Sequence, residues 1–148
     1  MKKEINTEIL IHASAKEIWN VLMDFDRYPE WNPFIIRIEG HKELGGELKI
    51  VLQSAGESTM NFVPLVVENK QAEKFAWHGT LLFKQLFNGI HCFELIEVAE
   101  KKTLFKHSET FNGFLVRFLG KELKKTEQNF HLMNESLRQR VESEFPSS

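Results

Sequence analysis

The sequence predicts an α+β fold in which an antiparallel sheet packs against one long C-terminal helix. From Phe34 to about Thr110 the chain consists of β-rich runs divided by short turn signals. No crossover helix separates these runs, so the strands are expected to pair antiparallel. Past Gly113 apolar residues recur instead at spacings of three and four, as on one face of a helix. No repeat or linker divides the sequence, so we expect a single domain, residues 1–148.

A strand and a short helix are predicted at the start of the chain. Apolar and polar residues alternate from Ile5 to Ile11, which is the period of a strand with one face toward a core. Ser14 and Glu17 then form a capping-box pattern, and apolar residues follow at helical spacing up to Phe25. The sequence therefore predicts a first helix that begins just after Ser14.

The next segment, DFDRYPEWNPF, contains Pro29 and Pro33. Proline lacks a backbone donor and favours extended geometry in the residue before it, so a bend or a broken second helix is predicted. Tyr28, Trp31 and Asn32 lie in this segment. They would form either a lid over a cavity entrance or a plug at one end of the sheet.

The β-rich region predicts about six further strands, with Gly45-Gly46 as a hairpin turn. The C-terminal region predicts one amphipathic helix, because its apolar residues run from Leu119 to Val141 at helical spacing while charged residues fill the other face. A helix of this length would span close to ~40 Å. Gly120 is a poor helix former, so the helix is expected to begin after it or near it.

Composition narrows the classes of function. The chain has 13 Phe but only one Tyr, so most of its aromatic area suits a dry interior or a cavity lining. The formal net charge of -2, with scattered cations, makes nucleic acid an unexpected partner. Cys92 is the only cysteine, which rules out an internal disulfide and fits a reducing compartment. We expect neither a signal peptide nor a membrane-spanning segment, and a cytoplasmic location.

Several local strings carry a resemblance to a known family. They are YPEWNPF, the Gly45-Gly46 turn, FAWHGTL, GIHCFEL, HSETFNG and the terminal MNESLRQRVE, in that order along almost the whole chain. As an ordered set they resemble the START-like (SRPBCC) helix-grip superfamily, in its polyketide-cyclase-related branch. The resemblance implies a bent antiparallel sheet of about seven strands wrapped around the C-terminal helix, two short helices after the first strand, and a cavity for apolar ligands between sheet and helix.

Strand parity predicts which side chains face this interior. The predicted inward residues of the strands are Leu48, Ile50, Leu52, Met60, Phe62, Phe75, Trp77, Phe93, Leu95, Phe105 and Phe111. From the helical region, Phe118, Leu119, Phe130 and Met133 are expected to face them. These residues would either line a cavity or close-pack into a solid core.

The candidate chemical groups are His107 and Glu109, which share the parity of two inward Phe. A carboxylate in such a place must be paired or must titrate with a raised pKa. The pair would anchor a ligand's hydroxyl or carbonyl group, or act as acid and base, unless it is simply a satisfied polar pair at the rim. His91 is a third candidate for the cavity wall. No spacing typical of a metal site is present, and we predict neither a metal nor a cofactor.

The predicted ligand-binding set combines these groups with the apolar lining. It consists of Trp31, Leu52, Met60, Phe62, Phe75, Trp77, His91, Phe93, Phe105, His107, Glu109, Phe111, Phe130 and Met133.

The favoured function is binding or transport of a small hydrophobic molecule such as a lipid, isoprenoid or polyketide-like compound. The alternatives are a cyclase or dehydratase that uses His107 and Glu109, and a protein-interaction module. We expect a monomer or a homodimer.

Overall fold

The computed structural model describes residues 2–54, 57–80, 88–118 and 120–146. Eight strands and three α-helices follow one another in these ranges, with a 3₁₀ turn before the second helix and another before the third. Their bounds are β1 Lys2–Ile11, α1 Ala15–Met23, a 3₁₀ turn Phe25–Arg27, α2 Tyr28–Trp31, β2 Ile35–Gly40, β3 Leu48–Leu52, β4 Met60–Phe62, β5 Leu65–Lys70, β6 Lys74–Thr80, β7 Asn88–Ala99, β8 Lys102–Asn112, a 3₁₀ turn Phe114–Phe118 and α3 Gly120–Glu144. The predicted α+β order is confirmed.

The strands form two antiparallel sheets that meet at β3 and β5. One sheet has five strands in the order β1-β8-β7-β6-β5, and the other has three in the order β2-β3-β4. The sequence predicted about seven strands, because the run TMNFVPLVVEN reads as one strand. Pro64 divides this run into β4 and β5, since proline has no N–H to donate to a ladder. Its carbonyl accepts a hydrogen bond from the Leu48 N–H at 3.0 Å, which helps to join the two sheets.

Helix α3 packs along the five-stranded sheet, mainly against β1. Its buried face is formed by Asn129, Phe130, Met133, Asn134, Leu137 and Val141. The prediction that this helix begins near Gly120 is confirmed. The prediction that Phe118 faces inward is wrong: its side chain is 64% exposed, because it lies in the short 3₁₀ turn before the helix rather than on the buried helix face. Leu119 lies outside the described residues.

Helix α1 begins as the capping-box pattern predicts. The Ser14 hydroxyl accepts from the Glu17 N–H at 3.2 Å, and the Glu17 carboxylate accepts from the Ser14 N–H at 2.9 Å. A second contact fixes this corner, because Lys101 in the β7–β8 turn forms an ion pair with Glu17 at 2.7 Å. The buried side chains of α1 include Ile18, Trp19, Val21 and Leu22, which join the core.

The two ends of the interior differ in how they are covered. At the end that we call the closed end, the rings of Trp19, Phe25 and Tyr28 are buried, and the first two pack edge-on against Phe75. At the other end, Leu52 and Phe62 are only half-buried and Met60 is 49% exposed. We call this the open end. Residues 81–87, between β6 and β7, lie outside the described residues.

Among the described residues, no helix combines the length and the apolar character needed to span a membrane.

Ser14→Ala removes the hydroxyl half of the capping box. We expect the free energy of unfolding to fall by about 1 kcal/mol, because the Glu17 N–H loses its acceptor at the helix start. Chemical denaturation measures this change. Ser143→Ala, at an exposed position in α3, is the matched control, and an equal loss in both variants would contradict the capping argument.

Candidate functional site

The strand parity of His91, His107 and Glu109 places them on the inner face, where the structure finds them. The His107 side chain is completely buried and His91 is 4% exposed. Glu109 is opposite His91 in the β7–β8 register, and its side chain is 16% exposed. The carboxyl group is therefore the part of this cluster that reaches toward the open end.

A continuous hydrogen-bond chain connects this carboxyl to helix α3 and to β1. Glu109 Oε1 lies 3.3 Å from His91 Nδ1, and the Nε2 atoms of His91 and His107 are 2.8 Å apart. His107 Nδ1 is 2.8 Å from Asn134 Oδ1, and Asn134 Nδ2 donates to Thr7 Oγ1 at 2.9 Å. The Thr7 hydroxyl donates back to the His107 carbonyl at 2.7 Å. We call these five side chains the polar chain.

The directions of the hydrogen bonds in the polar chain can be worked out from Thr7, at the β1 end. A carbonyl oxygen only accepts, so the Thr7 hydroxyl proton is directed at His107 O. Thr7 Oγ1 must then accept from the Asn134 amide, which leaves Asn134 Oδ1 as an acceptor for His107 Nδ1–H. A neutral His107 therefore has an unprotonated Nε2, and the proton between the two imidazoles belongs to His91 Nε2.

The last proton lies between His91 Nδ1 and Glu109 Oε1. Burial raises the pKa of Glu109 to about 8 and lowers the pKa of His91 to about 3, because both charged forms lose hydration. Burial and the neighbouring His91 also hold the pKa of His107 well below its ordinary value. The uncharged arrangement, in which the Glu109 carboxylic acid donates to His91 Nδ1, is thus the favoured one near neutral pH.

Aromatic rings cover both imidazoles. The Trp77 ring stacks on His91 with centroids 4.4 Å apart, and the Phe130 ring stacks on His107 at 3.9 Å. Phe93 contacts both histidines edge-on. These rings keep water from the imidazole nitrogens, so a proton can leave the polar chain chiefly through Glu109.

The two histidines are placed as hydrogen-bond partners, because their Nε2 atoms face each other at 2.8 Å. Among residues 2–54, 57–80, 88–118 and 120–146, no group of three His, Cys, Asp or Glu is placed to hold a metal ion.

The lack of a side chain at Gly89 leaves space for the Glu109 carboxyl group. A Cβ atom at Gly89 would lie 2.6 Å from Glu109 Oε2, so this oxygen occupies the space above the glycine. Gly79 is paired with Gly89 across β6 and β7. The Phe62 ring covers Gly79 and would lie 3.5 Å from a Cβ atom added there. No described residue donates a hydrogen bond to Glu109 Oε2. The second carboxyl oxygen is therefore open to a binding partner.

Most of the other predicted ligand-binding residues form a packed interior. Phe75, Trp77, Phe93, Phe105, Phe130 and Met133 are at most 1% exposed. Their rings and those of the histidines contact one another, for example Phe75 with Trp77 at 6.0 Å and Phe93 with Phe105 at 5.6 Å. The middle of the interior is thus filled by these side chains, and ligand contact by them stays a prediction.

The remaining members divide between the two ends. The side chains toward the open end are Leu52, Phe62, Met60 and Phe111. Leu52 and Phe62 are half-buried, Met60 is 49% exposed and Phe111 is buried. The expectation that Met60 lies inside is corrected: it pairs with Leu52, but it is 49% exposed, because it lies on β4, the edge strand of the three-stranded sheet.

Trp31 lies in a different part of the molecule from the polar chain. Its ring packs on Tyr28 at 5.1 Å, and it lines a small surface concavity of about 110 Å³ with Arg140 and Phe145 of the chain's C-terminal region. Tyr28 is fully buried and donates to the Leu22 carbonyl. Of the two interpretations of this segment, these contacts favour the plug over the lid.

A larger groove, of about 370 Å³, lies on the three-stranded sheet. Its lining includes Arg37, Lys49, Val51 and Asn61, which are outward-facing residues. None of the polar-chain residues lines it. Its lining also includes Ile50 and Phe62, two of the residues predicted to face inward. The groove therefore shares Phe62 with the predicted ligand-binding set but does not reach the polar chain.

Two members of the polar chain were missed by sequence reasoning. Thr7 has the parity of the inward Ile residues in β1, and Asn134 follows Phe130 by four residues on the buried helix face. Both are polar residues within an apolar pattern, which is a readable signal. The cross-strand contact of Glu109 with His91 was not predictable, because it depends on the β7–β8 register.

The raised pKa of Glu109 predicts how stability changes with pH. The folded protein keeps a proton that the unfolded chain loses above pH 4.5, so stability falls as pH rises toward about 8. The histidines have lowered pKa values and act in the opposite sense, but only below their unfolded value of 6.5. Between pH 6.5 and 8 we expect Glu109 to lower the free energy of unfolding by about 2 kcal/mol.

Denaturation at a series of pH values, on the protein and on Glu109→Gln, measures this difference. The variant should lack the decline, whereas Glu8→Gln on the exposed face of β1 should retain it. A parallel pH profile for Glu109→Gln and the unchanged protein would show that Glu109 is ionised at neutral pH.

Known proteins were compared with this chain by sequence and by structure. A profile of the family described as polyketide cyclase / dehydrase and lipid transport matches residues 2–142. No curated protein matches the sequence.

Several solved structures are similar in fold. The Zhui aromatase/cyclase from Streptomyces sp. R1128 superposes with a TM-score of 0.80 at 14% identity, over 99% of this chain and 98% of that chain. Norcoclaurine synthase from Thalictrum flavum, in complex with dopamine and hydroxybenzaldehyde, gives 0.72 at 14% identity over 100% and 90%. The Staphylococcus aureus protein of unknown function SA2116 gives 0.70 at 16% identity over 99% and 98%.

The profile match spans nearly the whole chain, and the structures share its sheet and long C-terminal helix. The chain therefore belongs to the polyketide cyclase/dehydrase and lipid transport family and has the helix-grip fold.

Proposed function

We propose that this protein binds a small, largely apolar molecule at the open end, and that Glu109 holds the molecule's polar group. The observation that carries this proposal is the unpaired Glu109 Oε2. The Glu109 side chain is 16% exposed, and a chain of four further side chains holds its carboxyl group in place, so Oε2 is presented at a defined position toward the open end. Such an atom suits a ligand that supplies the missing hydrogen bond.

The surroundings of Glu109 favour an apolar ligand body. Phe111 follows on the same strand face, and Phe62, Leu52 and Met60 lead from the covered interior to solvent. Sites that combine an apolar lining with one or two placed polar groups are typical of small-molecule binding. No cation of the described residues pairs with Glu109, so an anionic group of a ligand would have no counter-ion among them at this position.

The comparisons support the same class of function. The family description includes lipid transport. The norcoclaurine synthase structure contains dopamine and hydroxybenzaldehyde, which are small aromatic molecules. A ligand of this size needs only the open end, so the filled middle of the interior is compatible with the proposal.

The direct test is a binding screen. Displacement of an environment-sensitive apolar dye by a panel of fatty acids, isoprenoids and hydroxylated aromatics measures affinity, and native mass spectrometry of the purified protein detects a retained molecule. We expect at least one class to bind in a one-to-one complex. Absence of binding across the panel by both methods would refute the proposal.

Gly89→Ala tests the place of binding. The added methyl group would displace the Glu109 carboxyl, which is the end of a flexible side chain, so we expect at least tenfold weaker binding with little change in folding. Gly120→Ala is the matched control, because a Cβ there meets nothing within 4 Å. Equal affinity in the two variants would place the ligand elsewhere.

A second candidate function is proton-transfer catalysis, as in a cyclase or dehydratase. It is favoured by the Glu109 carboxyl, whose pKa of about 8 suits an acid or base at neutral pH and which is linked to two imidazoles. Glu109→Gln separates the two functions. The amide can still donate to His91 and accept from a ligand, but it cannot transfer a proton.

For a ligand found in the screen, product analysis by mass spectrometry distinguishes the functions. An enzyme should cyclise or dehydrate the ligand, and Glu109→Gln should lower that rate by about a hundredfold or more while affinity is retained. Unchanged ligand after long incubation supports binding alone. The cytoplasmic location and the monomeric or homodimeric state stay predictions.

A further inference from the structure

The proton order of the polar chain determines what kind of polar group the ligand has. We infer that Thr7 and Asn134 act as positioning residues that make Glu109 Oε2 a hydrogen-bond acceptor, so that the bound molecule presents a hydrogen-bond donor such as a hydroxyl group. This inference rests on the proposed function, because it names the ligand class of the same site.

At the β1 end of the polar chain, the hydrogen-bond directions are fixed. The Thr7 hydroxyl has one proton, and the His107 carbonyl receives it at 2.7 Å. Asn134 cannot rotate its amide without placing its carbonyl against the acceptor face of Thr7. Thr7 and Asn134 are 5% and 1% exposed, so water is not available to replace either bond. The two residues therefore set His107 as its Nδ1–H tautomer and His91 as a donor from Nε2.

At the other end of the polar chain, the position of one proton decides the role of the Glu109 carboxyl oxygens. If the shared proton is on Glu109, it is on Oε1 and directed at His91 Nδ1, and Oε2 is the carbonyl oxygen. If the proton has moved to His91, Glu109 is a carboxylate and both of its oxygens accept. A proton on Oε2 in the neutral chain would leave two lone pairs facing each other across the 3.3 Å contact. Oε2 is thus an acceptor in both favoured arrangements.

The groups around Glu109 leave Oε2 as a hydrogen-bond acceptor. The described groups that face it are His91 from β7, Phe111 from β8 and the backbone at Gly89. Behind it, α3 supplies Asn134, and His131 acts on His107 by charge alone. None of these donates a proton to Oε2. A ketone or an ether at this position would oppose one acceptor with another and bind more weakly.

Three naphthalene derivatives of similar size test the ligand class. A naphthol offers a donor, a naphthyl methyl ether offers only an acceptor, and methylnaphthalene offers neither. We expect the naphthol to bind about tenfold or more tightly than either of the others, as measured by fluorescence titration. Equal affinities for all three would refute the inference and the role of Glu109 in holding a polar group, but would leave the binding of an apolar molecule standing. No binding by any of them, together with a failed ligand screen, would refute the binding function.

The proton order itself has an independent readout in the protein without ligand. Nitrogen chemical shifts of imidazoles distinguish the two neutral tautomers by NMR. We expect His107 to be protonated on Nδ1 and His91 on Nε2 at pH 7. The opposite tautomer at either residue would overturn the inference whether or not a ligand is known.

The positioning role is tested by Thr7 variants. Thr7→Ser keeps the hydroxyl and should keep both the tautomers and the preference for naphthol. Thr7→Val has nearly the same shape but no hydroxyl, so Asn134 is free to turn, and we expect mixed tautomers and a preference reduced severalfold. A merely structural role of Thr7 would change stability in Thr7→Val but leave the affinity ratio and the imidazole shifts as they are.

Asn134→Asp is a stronger variant of the same test. A carboxylate at this position accepts from His107 and favours its cation, which would reverse the order of the chain so that His91 donates from Nδ1 to Glu109 Oε1. A Glu109 proton then lies on Oε2, and we expect the ether to bind better than it does to the unchanged protein. If this variant does not fold, the Thr7 pair and the NMR shifts still decide the inference.

Discussion

The requirement that buried polar groups be paired governs the interior of this protein. Two imidazoles, an amide and a hydroxyl lie where water cannot reach them, and each has its partner only because β1, β7, β8 and α3 are in one relative position. A shift of α3 by one residue would leave Asn134 and His107 unpaired. The polar chain therefore specifies the position of the long helix on the sheet more strictly than apolar packing does, since apolar contacts tolerate small displacements.

Aromatic packing around the polar chain explains why the closed end and the open end of the interior differ. Aromatic rings stack on both imidazoles, and Trp19, Phe25 and Tyr28 cover the closed end. This fills the middle of the interior, where a longer hollow was one of two expectations. At the open end, paired glycines at positions 79 and 89 leave room for the Phe62 ring and the Glu109 carboxyl.

The same physical effect produces both the structural and the chemical character of Glu109. Burial disfavours its charge, so the group stays protonated near neutral pH, and this proton is needed to complete the hydrogen-bond chain. The helix-grip fold of the family accommodates either binding or chemistry at such a group. The difference between the two functions lies in whether the Glu109 proton stays in the chain or moves to the ligand.

The sequence by itself determined the order of elements, the start of α1 at Ser14, the extent of α3 and the inward parity of His107 and Glu109, because these depend on local periodicity and capping. It also held the signal for Thr7 and Asn134, as polar residues in apolar patterns. Only the tertiary structure decided the division of the β4–β5 run at Pro64, the pairing of Glu109 with His91 and the filled middle of the interior. Strand register and side-chain packing join residues far apart in the chain, and local patterns carry no record of those distances.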